Sequence, residues 1–406
     1  MRELELFDTN SIIYKKFLPI VTKLEETPIS MNVWDIPYTI KSLSYLVHSH
    51  YRYYGKFPSV VAGQLLEMFP APSKDHYVLD NFCGSGTTLV EARLRGIKSF
   101  GLDISWLSCL ASNVKVKPID VAIVLKALTK LLNSYMENKK SLVFEPTLFT
   151  EKWFSNDVAA DLNALQKALV DTPKSEIRDF LLVAFLGIIR RVSKAHDAEV
   201  RPHINKKKRQ RDVIEAFVKK VKEMSDNHKE FMAYLDFEQT SECFLGNNLN
   251  LPNQFNDEKC YLVISHPPYL NSFNYTPVFS LEFYWGEPFE KDYGQKNLHK
   301  KELIAHPAID ENIEGYFSHL QKCYEETFRI QPKDAYLAIV IGDCTRNGEL
   351  INVLERTVKI VESIGYKTYQ INNRTTHYGL GKYAYKHRAN YHGDSEKKEG
   401  ILIFRK

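Results

Sequence analysis

Hydrophobic positions change their spacing twice along this chain, and the changes divide it into three regions. Between residues 45 and 118, short apolar runs alternate with stretches of helical spacing. This pattern predicts helices at residues 60–69 and 87–94 and strands at residues 77–79 and 99–102. A strand, a glycine-rich turn, a helix and a second strand form a βαβ unit, so the two strands should lie parallel in one sheet.

The second region is helical, and βα alternation returns in the third. Within residues 119–237 the spacing predicts amphipathic helices at 121–132, 158–169, 177–192 and 213–224. From residue 243 onward it predicts helices at 316–329 and 350–364 and strands at 261–264, 335–341, 366–372 and 400–404. Neither flank supplies enough strands for a complete sheet, so we expect one doubly wound, Rossmann-like α/β domain with a helical insertion. Two α/β domains joined by a helical linker are the alternative.

Composition excludes several classes of protein. Of 406 residues, 44% are hydrophobic and 26% charged, with 18 Gly and 17 Pro, which is typical of a globular protein and excludes collagen-like, coiled-coil and mucin-like chains. The longest apolar run, residues 180–189, is too short to span a membrane and predicts a buried helix. The first residues are acidic and contain no apolar run, so we expect no secretory signal and a cytoplasmic location.

Cysteine spacing and net charge add little to this picture. The six cysteines are scattered without a CxxC pair, which predicts reduced core thiols rather than disulfides or a zinc site, and no metal is expected; they are Cys83, Cys109, Cys243, Cys260, Cys323 and Cys344. The net charge of +4 is too small to identify a polyanionic partner. The places where basic residues cluster are more informative.

A glycine-rich turn at residues 80–88 lies between a predicted strand and a predicted helix. Glycines there let the backbone approach a ligand closely, and the first amides of the helix point towards it. A triphosphate-binding loop would need a Lys after Gly86, where Thr87 and Thr88 follow instead. A dinucleotide fingerprint would need a third Gly at the position of Leu89. The spacing disfavours both of these ligand classes.

Two acidic residues end the strands on either side of this turn. Asp80 ends the first strand and Asp103 ends the second. A carboxylate at such a place in a βαβ unit accepts hydrogen bonds from ribose hydroxyls, which suits a nucleoside ligand without a pyrophosphate, such as S-adenosylmethionine. The alternative is structural, with Asp80 capping the turn and Asp103 capping the next helix.

A proline corner closes a later strand, where Ser265 is followed by His266-Pro267-Pro268-Tyr269. Proline cannot donate ladder hydrogen bonds, so the strand must stop there, at the sheet edge where α/β ligand sites lie. The corner holds the carbonyl oxygens of His266 and Pro267 as fixed acceptors beside an aromatic ring. These groups suit a planar base gripped through its exocyclic amino group. The alternative is an ordinary proline turn with Tyr269 in the core.

Lys56-Phe57-Pro58 followed by a helix, then the glycine turn, then the proline corner resemble, in this order, three motifs of the amino-group DNA methyltransferases, which transfer methyl from S-adenosylmethionine to cytosine N4 or adenine N6. The resemblance implies a class I methyltransferase sheet, double-stranded DNA as substrate and, through the Phe-Cys and double Thr of the glycine motif, cytosine N4 in preference to adenine N6. It implies a catalytic corner formed by Ser265, His266, Pro267, Pro268 and Tyr269. It implies a cofactor site formed by Lys56, Phe57, Pro58, Asp80, Phe82, Gly84, Gly86, Thr87, Thr88, Asp103 and Asn247, with Asp103 at the ribose and Asn247 near the adenine.

One residue departs from the family pattern. The position before Pro-Pro is usually Ser, Asp or Asn, and here it is His266. A histidine accepts a hydrogen bond from an amine only through a neutral nitrogen in the correct orientation. The departure therefore leaves two alternatives open beside a DNA methyltransferase: a methyltransferase of RNA bases, and a catalytically inactive DNA-binding subunit of the same fold.

DNA contacts are expected from two basic stretches. One is a cationic run in the helical insertion, near Arg190, Arg191 and Arg201, and comprises Lys206, Lys207, Lys208, Arg209 and Arg211. The other lies in residues 374–398 and includes Lys382, Lys386 and Arg388. The alternatives are a solvated helix face and a surface loop.

The resemblance also suggests how the chain is divided and with what it works. We expect an extension at residues 1–44, a cofactor-binding half at 45–120, a helical insertion for target recognition at 121–240 and a catalytic half at 241–406. A cognate restriction endonuclease is the partner that such a protein would have.

Overall fold

The structure is a computed structural model that describes residues 20–23, 32–35, 43–236, 238–270, 274–294, 310–346, 349–375 and 399–406. Its strands are β1 (Ile20–Lys23), β2 (Asn32–Asp35), β3 (Tyr77–Asp80), β4 (Ser99–Asp103), β5 (Ser241–Leu245), β6 (Cys260–Ser265), β7 (Tyr336–Gly342), β8 (Cys344–Arg346), β9 (Glu349–Ile351), β10 (Lys367–Thr375) and β11 (Glu399–Arg405). Its helices are α1 (Ser59–Met68), α2 (Thr87–Leu94), α3 (Trp106–Val116), α4 (Val121–Ser141), α5 (Leu148–Trp153), α6 (Asn156–Asp171), α7 (Glu176–Val192), α8 (Val213–Met232), α9 (Tyr275–Val278), α10 (Ser280–Gly286), α11 (Asp310–Ile330) and α12 (Val353–Ile364). Short 3-10 helices occur at Leu46–Ser49, Asn253–Phe255 and Glu287–Tyr293.

One sheet runs through the molecule in the strand order β1-β2-β10-β11-β7-β6-β3-β4-β5. From β5 to β7 each strand is parallel to its neighbour, and β11 is antiparallel to both β7 and β10. The chain moves outward from β3 through β4 to β5 and then returns to β6 on the other side of β3. The carboxyl ends of β3 and β6 therefore form a topological switch point, which is where open α/β sheets bind ligands.

The single interrupted sheet is confirmed, and the alternative of two α/β domains is wrong. β3 from the first region pairs directly with β6 from the third, with Leu79 opposite Val263. Helices α4 to α8 all lie in the connection from β4 to β5, as the helical insertion predicted. α7 carries the apolar run of residues 180–189 and is packed inside a helical core, with Phe180, Phe185 and Ile188 fully buried. No helix in the described ranges is long and apolar enough to cross a membrane.

The observed elements differ from the predicted ones in the N-terminal segment and at the start of α12. β1 and β2 lie in the segment expected only as an extension, and β2 extends the sheet by pairing in parallel with β10. The helix predicted at 350–364 begins at Val353, because Glu349–Ile351 forms β9 and pairs with β8. At that start Asp343 Oδ1 accepts a hydrogen bond from Leu354 N at 3.0 Å. This cap comes from the end of β7, so the spacing of α12 alone does not reveal it.

The six cysteines are free and buried in the core, as their spacing predicted. They lie on strands, on helices and in the glycine turn, and none of them forms a disulfide. The domain boundaries stay a prediction, because the fold describes a continuous sheet and not separable units.

Candidate active site

A cleft of about 300 Å³ opens at the carboxyl ends of β3, β4, β5 and β6. The three motifs meet there, since the glycine turn faces the proline corner across it. Ten of the predicted site residues line the cleft: Lys56, Phe57, Asp80, Phe82, Gly84, Thr87, Asp103, Asn247, His266 and Pro268. Six others are not among the lining residues: Pro58, Gly86, Thr88, Ser265, Pro267 and Tyr269. Stretches that are far apart in the sequence are thus brought to one sheet edge.

The two glycines of the turn, Gly84 and Gly86, have different structural roles. Both adopt positive φ angles, +52° at Gly84 and +77° at Gly86. A Cβ on Gly84 would lie 3.1 Å from the ring of Tyr53, so this glycine lets an aromatic ring approach the turn. A Cβ on Gly86 would lie 2.8 Å from Cβ of Ser112 on α3, so this glycine serves helix packing.

The carboxylate of Asp103 organises the loops around the cleft. Its Oδ2 accepts a hydrogen bond from Gly84 N and its Oδ1 one from Ser105 N, each at 2.8 Å. The structural alternative therefore describes part of its role. Each carboxylate oxygen has two lone pairs and can accept more than one hydrogen bond. Asp103 is half-buried in the cleft wall, where a hydroxyl can reach it.

Asp80 occupies a more enclosed position than Asp103. Its side chain is buried, and Oδ1 accepts a hydrogen bond from Phe82 N at 3.1 Å, which shapes the start of the turn. Burial is the main cause that raises the pKa of the Asp80 carboxyl to about 7; the Thr88 side chain and the hydrogen bond from Phe82 N lower it, and the nearby charge of Asp103 makes a smaller raising contribution. The site therefore holds a carboxyl whose charge changes near neutral pH.

The residues around Lys56 connect the first motif to the proline corner. The ring of Phe57 stacks on the imidazole of His266, with centroids 5.1 Å apart and planes 29° apart. Lys56 Nζ donates to His48 O at 3.0 Å, and Pro58 precedes the first residue of α1. Burial lowers the pKa of Lys56 to about 8. Of these residues, Phe57 is the one that touches the corner directly.

The proline corner is held from two sides. His266 Nε2 lies 3.2 Å from Tyr269 Oη, and Tyr269 Oη donates a hydrogen bond to Glu399 Oε1. Tyr316 Oη donates to Pro268 O at 2.9 Å. Ser265 faces the core instead, since it is fully buried and its Oγ lies 3.3 Å from Tyr324 Oη.

Several residues of the cleft were not predicted from the sequence. Tyr53 stacks on Tyr275 at 5.5 Å and forms an aromatic wall over the glycine turn. Helix α11 contributes His319 and Cys323. Asn81 Nδ2 donates to Cys323 Sγ at 3.3 Å and thereby ties the turn to α11. The aromatic-rich run before Lys56 could have indicated Tyr53. No sequence signal indicates the two α11 residues, because they lie in an ordinary amphipathic helix pattern.

The basic run of the insertion forms a loop near the cleft. Its exposed members are Lys206, Lys207, Arg209 and Arg211. Lys208, also predicted to contact DNA, differs from these four, since its Nζ donates to Arg190 O at 2.8 Å, Ala195 O at 2.7 Å and Asp197 Oδ1 at 2.7 Å. The backbone carbonyls of two buried residues, Arg190 and Ala195, together with the carboxylate of the exposed Asp197, explain why this lysine turns inward.

The same loop is tied to the residues next to Tyr53. Tyr54 Oη donates to Glu199 O at 2.6 Å, and Arg52 Nη1 donates to Asp197 O. Arg190 is not a surface charge either, since it is buried and donates to Glu199 O at 2.6 Å. The loop therefore lies beside the cleft wall. The second basic stretch, with Lys382, Lys386 and Arg388, lies outside the described residues.

No group of three His, Cys, Asp or Glu side chains in the described ranges is arranged to hold a metal ion. The side chains that line the cleft include carboxylates, an imidazole and aromatic rings. Asn247 adds an amide at the far side, where its Oδ1 accepts a hydrogen bond from Leu249 N at 3.0 Å.

Known proteins match parts of this chain. A family model described as DNA methylase matches residues 14–113. Type II methyltransferase M.MvaI of Kocuria varians is 26% identical over 209 residues, which cover 48% of this chain and 46% of that protein. Type II methyltransferase M.MjaII of Methanocaldococcus jannaschii is 37% identical over 117 residues, which cover 27% of this chain and 21% of that protein.

A longer and weaker match runs through most of the chain. Type II methyltransferase M.BsoBI of Geobacillus stearothermophilus is 22% identical over 447 aligned positions, covering 88% of this chain and 85% of that protein. The first two matches span about half and about a fifth of their relatives' lengths. These matches support an amino-group DNA methyltransferase, and residues 14–113, which the DNA methylase model matches, include the glycine turn.

Proposed function

We propose that this protein transfers the methyl group of S-adenosylmethionine to an exocyclic amino group of a base in double-stranded DNA. The observation that carries the proposal is the convergence of the glycine turn and the proline corner on one cleft. Phe57 joins the two halves directly through its stack on His266 at 5.1 Å. One half suits a nucleoside, and the other suits a planar base with an amino group.

The residues of the first half fit S-adenosylmethionine. Gly84 lines the cleft with its backbone at a positive φ, and Asp103 offers carboxylate oxygens to the ribose hydroxyls. Asn247 lines the far side of the cleft, where an adenine would lie. When bound, the cofactor supplies a methyl group on a positively charged sulfur. The carboxylates of Asp80 and Asp103 complement that positive charge.

The proline corner prepares the amine of the target base. We infer that the base leaves the duplex and stacks on Tyr269, while Pro267 O and the His266 side chain accept its two amino hydrogens. Accepting both hydrogens draws the nitrogen lone pair out of conjugation with the ring and makes the nitrogen nucleophilic. The catalysis is then mainly positioning and electrostatics, because the rigid prolines hold the acceptors in place.

No covalent intermediate is part of this proposal. A ring-carbon cytosine methylase needs a Cys nucleophile at this corner, and Pro268 stands in its place. We propose cytosine N4 in preference to adenine N6. The support is the Phe82-Cys83 pair and the double Thr of the glycine motif, preceded by Lys-Phe-Pro, which resemble those of N4-modifying members of the family.

The pH dependence of cofactor binding tests the placement beside Asp80. The affinity for S-adenosylmethionine should rise roughly tenfold between about pH 6 and pH 8, because the Asp80 carboxyl, with a pKa of about 7, ionises over this range and attracts the positive ligand. Calorimetric titration at several pH values measures the slope. The Asp80→Asn variant is the control and should lose the part of the pH dependence that comes from Asp80. An identical slope of affinity against pH in both proteins would refute the placement of the cofactor beside Asp80.

The exposed part of the basic loop is proposed to bind phosphates of the DNA backbone. Lys206, Lys207, Arg209 and Arg211 are exposed, and internal hydrogen bonds from Lys208 hold their loop beside the cleft. A duplex lying across this loop would place its phosphates near the mouth of the cleft. The surrounding helical insertion, residues 121–240, is the proposed target-recognition module, and a cognate restriction endonuclease is the proposed partner.

Replacing the four exposed cations by Gln should flatten the salt dependence of DNA binding. Each lost phosphate contact reduces the slope of log K against log salt by about one, so a reduction of roughly two to four is expected. Fluorescence anisotropy with a labelled duplex at several salt concentrations measures it. Lys126→Gln together with Lys130→Gln, on the exposed face of α4, is the matched control and should leave the slope unchanged. An unchanged slope in the loop variant would make this loop an ordinary solvated surface.

The function is tested by incubating the protein with labelled S-adenosylmethionine and either duplex DNA of mixed sequence or total RNA. Nucleoside mass spectrometry after digestion identifies the product base. We expect N4-methylcytosine in DNA and no label in RNA. Label in RNA alone would assign the protein to RNA modification, and DNA binding without any transfer would identify an inactive subunit. N6-methyladenine in DNA would retain the reaction class and refute the preference for cytosine.

A further inference from the structure

Glu399 lies beside the proline corner because of the direction of β11. The parallel strands β6 and β7 run towards the cleft, whereas β11 runs away from it. The first residue of β11 therefore lies at the edge where β7 ends, and Glu399 pairs with Gly342, the last residue of β7. From there Glu399 Oε1 accepts a hydrogen bond from Tyr269 Oη.

The protons of this network can be assigned from its geometry. The Tyr269 hydroxyl has one proton, and it is donated to the Glu399 carboxylate, which can only accept. His266 Nε2 lies 3.2 Å from the same hydroxyl oxygen. Because the hydroxyl proton is already used, this contact requires Nε2–H to be the donor and the phenol oxygen the acceptor. In the neutral imidazole, Nδ1 is then the acceptor nitrogen.

We propose that Glu399 is a positioning residue that, through Tyr269, fixes His266 in the neutral Nε2–H tautomer. The consequence for catalysis rests on the function proposed above, because it concerns the amine of the target base. This family usually has an oxygen-bearing side chain before Pro-Pro, and His266 must replace that acceptor with a ring nitrogen. With the proton held on Nε2 through Tyr269 and Glu399, the Nδ1 lone pair serves as the hydrogen-bond acceptor. It thereby replaces the side-chain oxygen that the family usually has at this position.

A second contact restricts the same ring. Phe57 stacks against the imidazole with an angle of 29° between the planes, so the ring cannot turn freely about χ2. Tyr269 and Glu399 therefore determine the tautomer of His266, and Phe57 restricts the orientation of its imidazole plane. A carboxylate that orients a histidine without touching the substrate acts in the same way at other histidine sites.

The tautomer can be observed directly by NMR, without substrate or cofactor. Protein labelled with ¹⁵N only at its 13 histidines gives two-bond ¹H–¹⁵N patterns that distinguish the two tautomers, and the His266→Asn spectrum identifies the signals of that ring. The wild type should show the Nε2–H pattern. Glu399→Ala frees the phenol proton to point at Nε2, so the Nδ1–H form should appear. Glu399→Gln keeps an oxygen that accepts this proton and should retain the wild-type pattern.

The kinetics of methyl transfer test whether the orientation of His266 by Glu399 matters for catalysis. Glu399→Ala should lower kcat roughly 10- to 100-fold with little change in the KM for S-adenosylmethionine, as expected for a misplaced reacting group, and Glu399→Gln should retain most of the activity. If Glu399→Ala does not fold, Tyr269→Phe replaces it, since it removes the acceptor of Nε2–H while keeping the ring.

The outcomes separate this inference from the proposed function. An Nδ1–H pattern in the wild type, an unchanged pattern in the Ala variant, or equal losses of kcat in the Ala and Gln variants would overturn the role of Glu399. A wild type that methylates no DNA, with spectra that respond as expected, would refute the proposed function and support the tautomer assignment.

Discussion

Tyr269→Ala is expected to lower methyl transfer roughly 100-fold or more while leaving cofactor affinity within about twofold. Loss of a stacking ring costs about 1–3 kcal/mol for the extruded base, and the same change removes the hydroxyl that orients His266. Tyr269 is not part of the cleft wall beside the glycine turn, so cofactor binding should be spared. Filter-binding assays with labelled cofactor measure the transfer, and calorimetry measures the affinity.

The matched control for this change is Tyr369→Ala. Tyr369 is 53% exposed and stacks edge-on against Phe69 and Tyr336, away from the cleft. Its loss should leave transfer unchanged. A Tyr269→Ala protein that transfers methyl at the wild-type rate would show that the extruded base does not stack at this corner.

Asp103→Ala is expected to weaken cofactor binding roughly 100-fold. Hydrogen bonds to a charged group contribute about 1.5–3 kcal/mol each, and the ribose presents two hydroxyls to this carboxylate. The change also removes the acceptor for Gly84 N and Ser105 N, which loosens the turn that cradles the ligand. Calorimetry with S-adenosylmethionine measures the loss, and saturating cofactor should restore much of the transfer.

Two further variants separate charge from structure at this position. Asp103→Asn keeps one acceptor oxygen and loses the charge, so its affinity should lie between those of the wild type and the Ala variant. Asp257→Asn is the control, since Asp257 Oδ1 also accepts a backbone N–H, from Lys259, but lies before β6 at the opposite edge of the sheet. Wild-type affinity in Asp103→Ala would contradict the placement of the ribose.

Local patterns were sufficient for the elements and for the motif order. Alternating apolar runs predicted β3, α2, β4 and β6, because buried parallel strands and one-sided helices impose their periods on the residues that form them. The glycine turn was predicted for a related reason. A backbone with positive φ at Gly84 and a rigid proline corner at Pro267 each require a specific residue type, so the residue type reveals the geometry.

Hydrogen-bond partners that lie on different elements of the fold could not be predicted from local patterns. The Asp343 cap on α12, the inward turn of Lys208 and the bond from Tyr316 to Pro268 all join residues on different elements. Each of these side chains resembles an ordinary polar surface residue in its own segment. Their environment comes from the way in which the elements pack, and no local period records it.

The amino acid order alone therefore specified a glycine turn, a proline corner and a sheet interrupted by helices, because each depends on backbone conformations that only certain residues adopt. The folded molecule decided which side chains complete the site. Glu399 reaches Tyr269 only because β11 runs antiparallel to β7, and the direction of a strand is set by its neighbours in the sheet rather than by its own residues.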